Sequence, residues 1–356
     1  MFGDYLAIQE NAFSLDIPSV IMEDMSEHRK MLERVECGLL SCLLSLKKRP
    51  FIRFPAKSKV VGEIGKHLAL TIDRLHQEDQ LFDFGRNHVP PLLLLLDRRD
   101  DPVTPLLMQW TYQAMVHELL GIKNNRVAIE KKQTSEKQVS EILLSPEQDE
   151  FYKKNMTQNF GELGVSVKQL VDEFAMRTKS NENIQSLEQI KQFISKYPEF
   201  KQLSGNVSKH VSLISDLSKI VASKKLMEVS EIQQELACHN SHASAFEKVM
   251  QAIQDPSVAD EEKVKLVMLY HLRYETSSSN STSQLISELI KREVPRELTS
   301  LVTLLTKFGG SQIRSGDLFD SKNVFKVLSK SVFRGIQGVE NIYTQVRRNC
   351  SFKLFF

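Results

Sequence analysis

Asp97, Arg98, Arg99, Asp100 and Asp101 stand in one unbroken run directly after the apolar stretch Leu92 to Leu96. Three carboxylates at the end of a strand could hold Mg²⁺, which takes oxygen ligands. An aspartate-nucleophile phosphotransferase would place a second Asp two residues after the first, and that position is Arg99. A prenyl-transfer site would set its acidic motif on a helix, whereas this run follows a strand pattern and precedes Pro102. The plainer reading is structural. The three acids pair with Arg98 and Arg99 and cap the helix that starts near Pro105.

Other sites that could carry chemistry are sparse. Cys37, Cys42, Cys238 and Cys350 form no CxxC pair, and a zinc site needs four converging ligands. Cys37 and Cys42 are expected to face a core as small apolar groups. Cys238, His239 and His242 lie close together but lack a fourth ligand. His117, beside Glu118 on a helix pattern, reads as a structural hydrogen-bonding residue. The sequence holds no GxxxxGK[ST] or GxGxxG phosphate cradle and no GxSxG nucleophile elbow. The expectation is a protein that is not an enzyme, with no catalytic residue, cofactor or metal.

These residues sit in a chain of ordinary globular composition: 356 residues, 41% hydrophobic and 26% charged, with a formal net charge of +2. Interspersed charge of both signs argues against a nucleic-acid partner, which needs a broad basic field. Low cysteine usage suits a reducing compartment. The first ten residues, MFGDYLAIQE, do not have the basic-then-apolar order of a signal peptide. The longest strongly apolar run, Leu92 to Leu96, is far short of the roughly 20 residues that span a bilayer.

Residues 1 to about 105 read as mixed α/β. Helical spacing covers Glu27 to Leu46 and Val60 to Leu75. Phe51 to Phe54 is a short strand after Pro50. The run Pro91 to Leu96 shows no alternation, which suits a strand buried on both faces. From Leu106 onward the pattern is almost wholly helical. Val167, Leu170, Val171 and Phe174 form an i, i+3, i+4, i+7 stripe. Ser186 and Gln189 make a capping box ahead of Leu187 to Tyr197, and Pro198 interrupts that run. Val207, Val211, Ile214, Leu217 and Val221 begin another stripe. Two helices about a polar link, followed by a proline-marked segment, suggest an extended helical hairpin. Further helices are expected at 229–237, 243–253, 261–274, 284–291, 298–308 and 322–333.

Leu94 to Leu107, continuing through Gln109 to Gly121, resembles the SM (Sec/Munc) family of syntaxin-binding proteins. So do Gly205 to Val211, Glu235 to Cys238, Leu266 to Tyr270, Gly316 to Phe319 and Gly335 to Gln345. The resemblance covers about residues 3 to 345. It implies a Sec1-like α/β fold in which domain one would precede residue 1. A partial, parallel α/β domain two would fill 1–106 and a large, mostly helical domain three the rest, as 107–224 with the hairpin and 225–345. Residues 346–356 depart from the family pattern, which would continue there with further sheet strands.

The same resemblance implies a function: binding of vesicle SNARE and syntaxin-type SNARE proteins, and templating of their assembly by the domain-three hairpin during vesicle docking and fusion. Pro198 matches the hairpin proline, which would govern extension of the second hairpin helix. Phe200, Leu203, Val207, His210 and Val211 follow it, either as a surface for an amphipathic SNARE helix or as internal hairpin core. Membrane association would be indirect, through SNAREs, and the chain a cytoplasmic monomer at Golgi, trans-Golgi network and endosomal membranes. An alternative is a truncated, non-functional splice or gene-model product, with part of a sheet left uncovered.

Overall fold

The computed structural model describes residues 3–17, 25–85, 89–131, 138–179, 198–238, 241–314 and 318. The chain opens with an antiparallel hairpin of β1 (Leu6–Gln9) and β2 (Ala12–Ser14). Helix α1 (Met25–Ser45) follows and holds this hairpin through one side chain. The Arg34 guanidinium donates to the Asp4 carbonyl at 2.7 Å and to the Leu15 carbonyl at 3.0 Å.

Next come β3 (Phe51–Arg53), α2 (Lys59–Asp79) and β4 (Leu92–Leu94). β3 and β4 pair in parallel, with Phe51 opposite Leu92, Ile52 opposite Leu93 and Arg53 opposite Leu94. Ser58 caps α2, its Oγ accepting from the Val61 N–H at 3.2 Å. Gly65 of α2 lies under the Phe54 ring, where a Cβ would collide. Ile52 and Leu93 pack against Leu40, Leu43 and Leu44 of α1, Leu68 and Ile72 of α2, and Phe82.

The run Leu92 to Leu96 is not covered on both faces. Leu93 points to the helices, while Leu92, Leu94 and Leu96 on the other face are exposed. The unbroken leucine run marks a strand able to be covered twice, and α1 and α2 both lie on one side of it.

The part after Leu106 is not wholly helical either. Helix α3 (Tyr112–Leu119) leads into an antiparallel hairpin of β5 (Arg126–Lys131) and β6 (Gln138–Leu143). The alternation of Val127 and Ile129 with Ala128 and Glu130 has period two, and Val127 is fully buried. Helices α4 (Glu150–Asn155), α5 (Phe160–Lys179) and α6 (Pro198–Ser223) complete a second core. It gathers Tyr112, Met115, Val116, Val127, Leu144, Tyr152, Leu163, Leu213 and Leu217.

The third core is built by α7 (Leu226–Cys238), α8 (His242–Gln254), α9 (Asp260–Tyr274), α10 (Thr282–Lys291) and α11 (Arg296–Gly309). Helix α9 buries Val264, Leu266, Val267, Leu269, Tyr270 and Leu272, residues that point all round its axis. A helix apolar all round must be central, and α7, α8, α10 and α11 all pack on it. The predicted helices at 229–237, 243–253, 261–274, 284–291 and 298–308 each lie within one of these five. The expected capping box at Ser186 and the expected helix 322–333 lie outside the described residues. Among the described residues, no helix is long and apolar enough to cross a membrane.

Candidate partner-binding hairpin

Helix α6 starts at Pro198, whose fixed φ suits the first turn and whose missing N–H costs nothing there. Proline therefore opens this helix. The side chains of Pro198, Phe200 and Leu203 lie outside the described residues, although their backbone is helical. Further along, the buried face of α6 is set by His210, Leu213 and Leu217, all fully buried. Ile214 and Val221 pack beside them. At 100° per residue, Val207 and Val211 fall to one side of this face. Val207 is half-buried and Val211 is 41% exposed. On α5, Leu163 is fully buried and Val167 and Leu170 half-buried, while Val171 is exposed. Each hairpin helix thus carries a valine at the rim of its buried stripe, and α5 and α6 pack on each other.

His210 is not available to a partner. Its ring lies in the core, with Nδ1 2.8 Å from the Tyr112 hydroxyl and Nε2 2.9 Å from Asp149 Oδ2. The spacing that put it beside Val211 is shared by core and surface, and the hydrogen-bond partners decide for the core. Tyr112 begins α3, and Asp149 caps α4 by accepting from the Tyr152 N–H at 2.9 Å. Lys209 pairs with the same carboxylate oxygen. Burial would raise the Asp149 pKa, but hydrogen bonds from His210, Lys209 and the Tyr152 N–H outweigh it and hold the carboxyl below its usual range. Burial lowers the His210 pKa more than Asp149 raises it. The neutral ring donates from Nε2 to Asp149 and accepts from Tyr112 at Nδ1. Burial also pushes the Tyr112 hydroxyl far up. The Phe151 ring closes the site, 4.6 Å from the imidazole centroid. Sequence reasoning passed over Tyr112 and Asp149; an Asp immediately before a helical run was the available signal for the latter.

The acidic run after β4 has its structural role. The Arg99 guanidinium clamps Asp97, Nη2 to Oδ2 at 2.6 Å and Nε to Oδ1 at 2.9 Å. Ser58 donates to Asp97 Oδ2 at 2.6 Å. Burial would raise the Asp97 pKa, but these bonds and the Arg99 N–H hold it down at about 2. Asp101 Oδ1 accepts from the Thr104 N–H at 3.0 Å, at the start of the 3₁₀ turn Thr104–Leu106, and Arg98 pairs with Asp101. Among the described residues, no group of three or more His, Cys, Asp or Glu could hold a metal ion. Cys42 is buried as expected, but Cys37 is exposed, one turn and a half earlier on α1. His117 is exposed. His242 bonds the Tyr270 hydroxyl at 2.6 Å, and His239 lies outside the described residues.

The Sec1 family pattern matches residues 1–344. The chain belongs to the Sec1 family. Its α/β reading and the resemblance to SM proteins both hold. Vacuolar protein sorting-associated protein 45 of Rattus norvegicus is 44% identical over 345 residues, which is 97% of this chain and 60% of the relative. The Homo sapiens protein of that name is 43% identical over 346 residues, with the same coverage. The SM protein Vps45 solved in complex with the Qa SNARE Tlg2 (1–310) superposes with a TM-score of 0.78 at 42% identity, over 96% of this chain and 60% of that one. The chain therefore spans about three-fifths of the length of these Sec1 relatives.

Proposed function

We propose that this chain supplies part of the SNARE-binding surface of an SM protein acting in vesicle docking and membrane fusion during protein transport, and that it works by binding and not by catalysis. The observation that carries this reading is the likeness to the Vps45 chain that was solved with the Qa SNARE Tlg2. The proposed partners are vesicle SNARE and syntaxin-type SNARE proteins. The chain would sit at the cytoplasmic side of Golgi, trans-Golgi network and endosomal membranes, held there by the SNAREs it engages.

Within the chain, the hairpin segment is the proposed contact for an amphipathic SNARE helix. The half-buried Val207 and the exposed Val211 support it, because they form an i, i+4 pair beside the packed face of α6. Phe200 and Leu203 are proposed to add to this contact nearer the start of the helix, which Pro198 opens. His210 acts from beneath, fixing the helix that presents it.

Titration of a fluorescent vesicle-SNARE-motif peptide against the purified chain, read by anisotropy, tests the assignment. Val211→Asp changes an exposed position, so the melting curve should stay unchanged while affinity falls at least about tenfold, or about 1.4 kcal/mol. Leu203→Asp should lower the affinity as well. Equal affinity of both variants and the parent chain would remove the hairpin from the binding surface.

A further inference from the structure

Helix α6 carries a wider apolar arc than the second core buries. At about 100° per residue, its apolar side chains run from Ile220 through Leu213, Leu217 and Ile214 to Val207 and Val211, an arc of about 180°. Apolar packing alone would turn the middle of that arc inward, between Leu217 and Ile214. The fully buried residues, Leu213, Leu217 and His210, centre about 40° back from that middle, and Val211 at the end of the arc is left exposed.

Two polar side chains account for the offset. Lys209 and His210 are neighbours about 100° apart around the helix. Both bond the same oxygen, Asp149 Oδ2, His210 doing so from Nε2 at 2.9 Å. A carboxylate held from both sides lies in the sector between them, and Leu213 and Leu217 fall in that sector. Asp149 is itself fixed, because it caps α4 by accepting from the Tyr152 N–H at 2.9 Å. Lys209 Nζ also reaches the Leu143 carbonyl at the end of β6 at 3.3 Å, and His210 Nδ1 lies 2.8 Å from the Tyr112 hydroxyl of α3. The anchors of α6 thus come from three other elements.

We propose that Lys209, His210 and Asp149 set the rotation of α6 about its own axis, so that Val207 and Val211 stay at the rim and are not drawn into the core. Apolar attraction is non-directional. A buried polar group that must meet its partner selects one arrangement among several of similar burial, as a single buried Asn fixes register in a coiled coil. The three act as positioning residues, through the valines. The consequence for SNARE binding rests on the reading of the rim as a contact surface; the rotation does not.

Thiol labelling of the full chain tests this. A cysteine replaces either Val211 or Asp216, which lie on opposite flanks of the buried face. Labelled peptides are resolved by mass spectrometry, so the native cysteines do not interfere. A turn of about 40° toward the middle of the arc would withdraw position 211 and bring position 216 out. The ratio of the two labelling rates removes any change in stability common to both. In Asp149→Asn, under native conditions, the ratio of rates at 211 and 216 should fall several-fold from its value in the parent chain. The double variant His210→Leu/Tyr112→Phe, which makes both partners of one buried bond apolar, should move the ratio the same way and decides the matter if Asp149→Asn does not fold. An unchanged ratio in a folded variant would overturn the proposal, leaving apolar packing to set the rotation. Affinity for the SNARE-motif peptide is then measured on the same variants without the cysteine probes. A lowered ratio with unchanged affinity would keep the rotation and remove the rim from the binding surface. A lowered affinity with an unchanged ratio would overturn the rotation.

Discussion

A neutral imidazole at position 210 satisfies two buried groups at once, and this explains why a histidine can lie fully buried in the hairpin core. With its proton on Nε2, the ring donates to Asp149 and leaves Nδ1 to accept from Tyr112. The cluster joins the starts of α3 and α4 to the middle of α6. The two members that titrate in acid, His210 and Asp149, both have depressed pKa values, so both signs run the same way. His210 contributes stability above its unfolded value near pH 6.5, and this is lost as the pH falls. Asp149 contributes above about pH 4 and loses its contribution below that. Acid destabilisation should therefore begin near pH 6.5 and steepen below pH 4. Asp149→Asn should lower stability at pH 7 by about 3 kcal/mol, because Lys209 and His210 lose their buried anion. It should also remove the steep phase below pH 4. Urea transitions at pH 7, 5 and 3.5 check both effects. An unchanged midpoint at pH 7 would mean that the cluster is not holding α6.

At the scale of elements, the acidic run that suggested metal chemistry works as a joint. Ser58 caps α2 and at the same time donates to Asp97, which Arg99 clamps. Ser58→Ala should cost about 1–2 kcal/mol, the value of a lost cap with one further hydrogen bond. The bidentate Arg99 contact should keep Asp97 in place, so the loss should stop there. A thermal melt reads it, and a change within error would show the cap to be redundant. The helices of the third core were legible because their apolar spacing is regular over three turns or more. The β5–β6 hairpin was not, since a six-residue strand offers only two or three alternations to set against helical spacing on both sides. Cys37 was misplaced for a related reason: at five residues from Cys42 the two fall on opposite sides of α1. At the hairpin, spacing brought out Val207, His210 and Val211 together but could not sort them. That distinction rests on Tyr112 and Asp149, 98 and 61 residues from His210 in sequence, which no local pattern reaches.

Among the described residues the molecule holds three apolar cores, and polar contacts link the second to the third. The single tryptophan, Trp110, packs on the second core and donates from Nε1 to Ser230 of α7 at 2.9 Å. Nearby, the Met108 N–H donates to Gln233, and Lys265 of α9 pairs with Glu118 of α3. Polar links of this kind couple cores weakly compared with shared apolar burial, and chains of this size commonly depart from two-state unfolding. Trp110 fluorescence should follow the α3–α6 core, whereas the helical signal at 222 nm comes from all the helices, α7–α11 included. The α9-centred core is the largest of the three and should resist denaturant longest. A difference of 1–2 kcal/mol between the cores would separate the two midpoints by about 0.5–1 M urea, for a slope near 2 kcal/mol per molar. Fluorescence should therefore change first. Coincident curves would mean that the Met108–Trp110 junction transmits unfolding from one core to the next. In that case a ligand that binds the hairpin alone would stabilise the whole chain, while separate transitions confine its effect to the α3–α6 core.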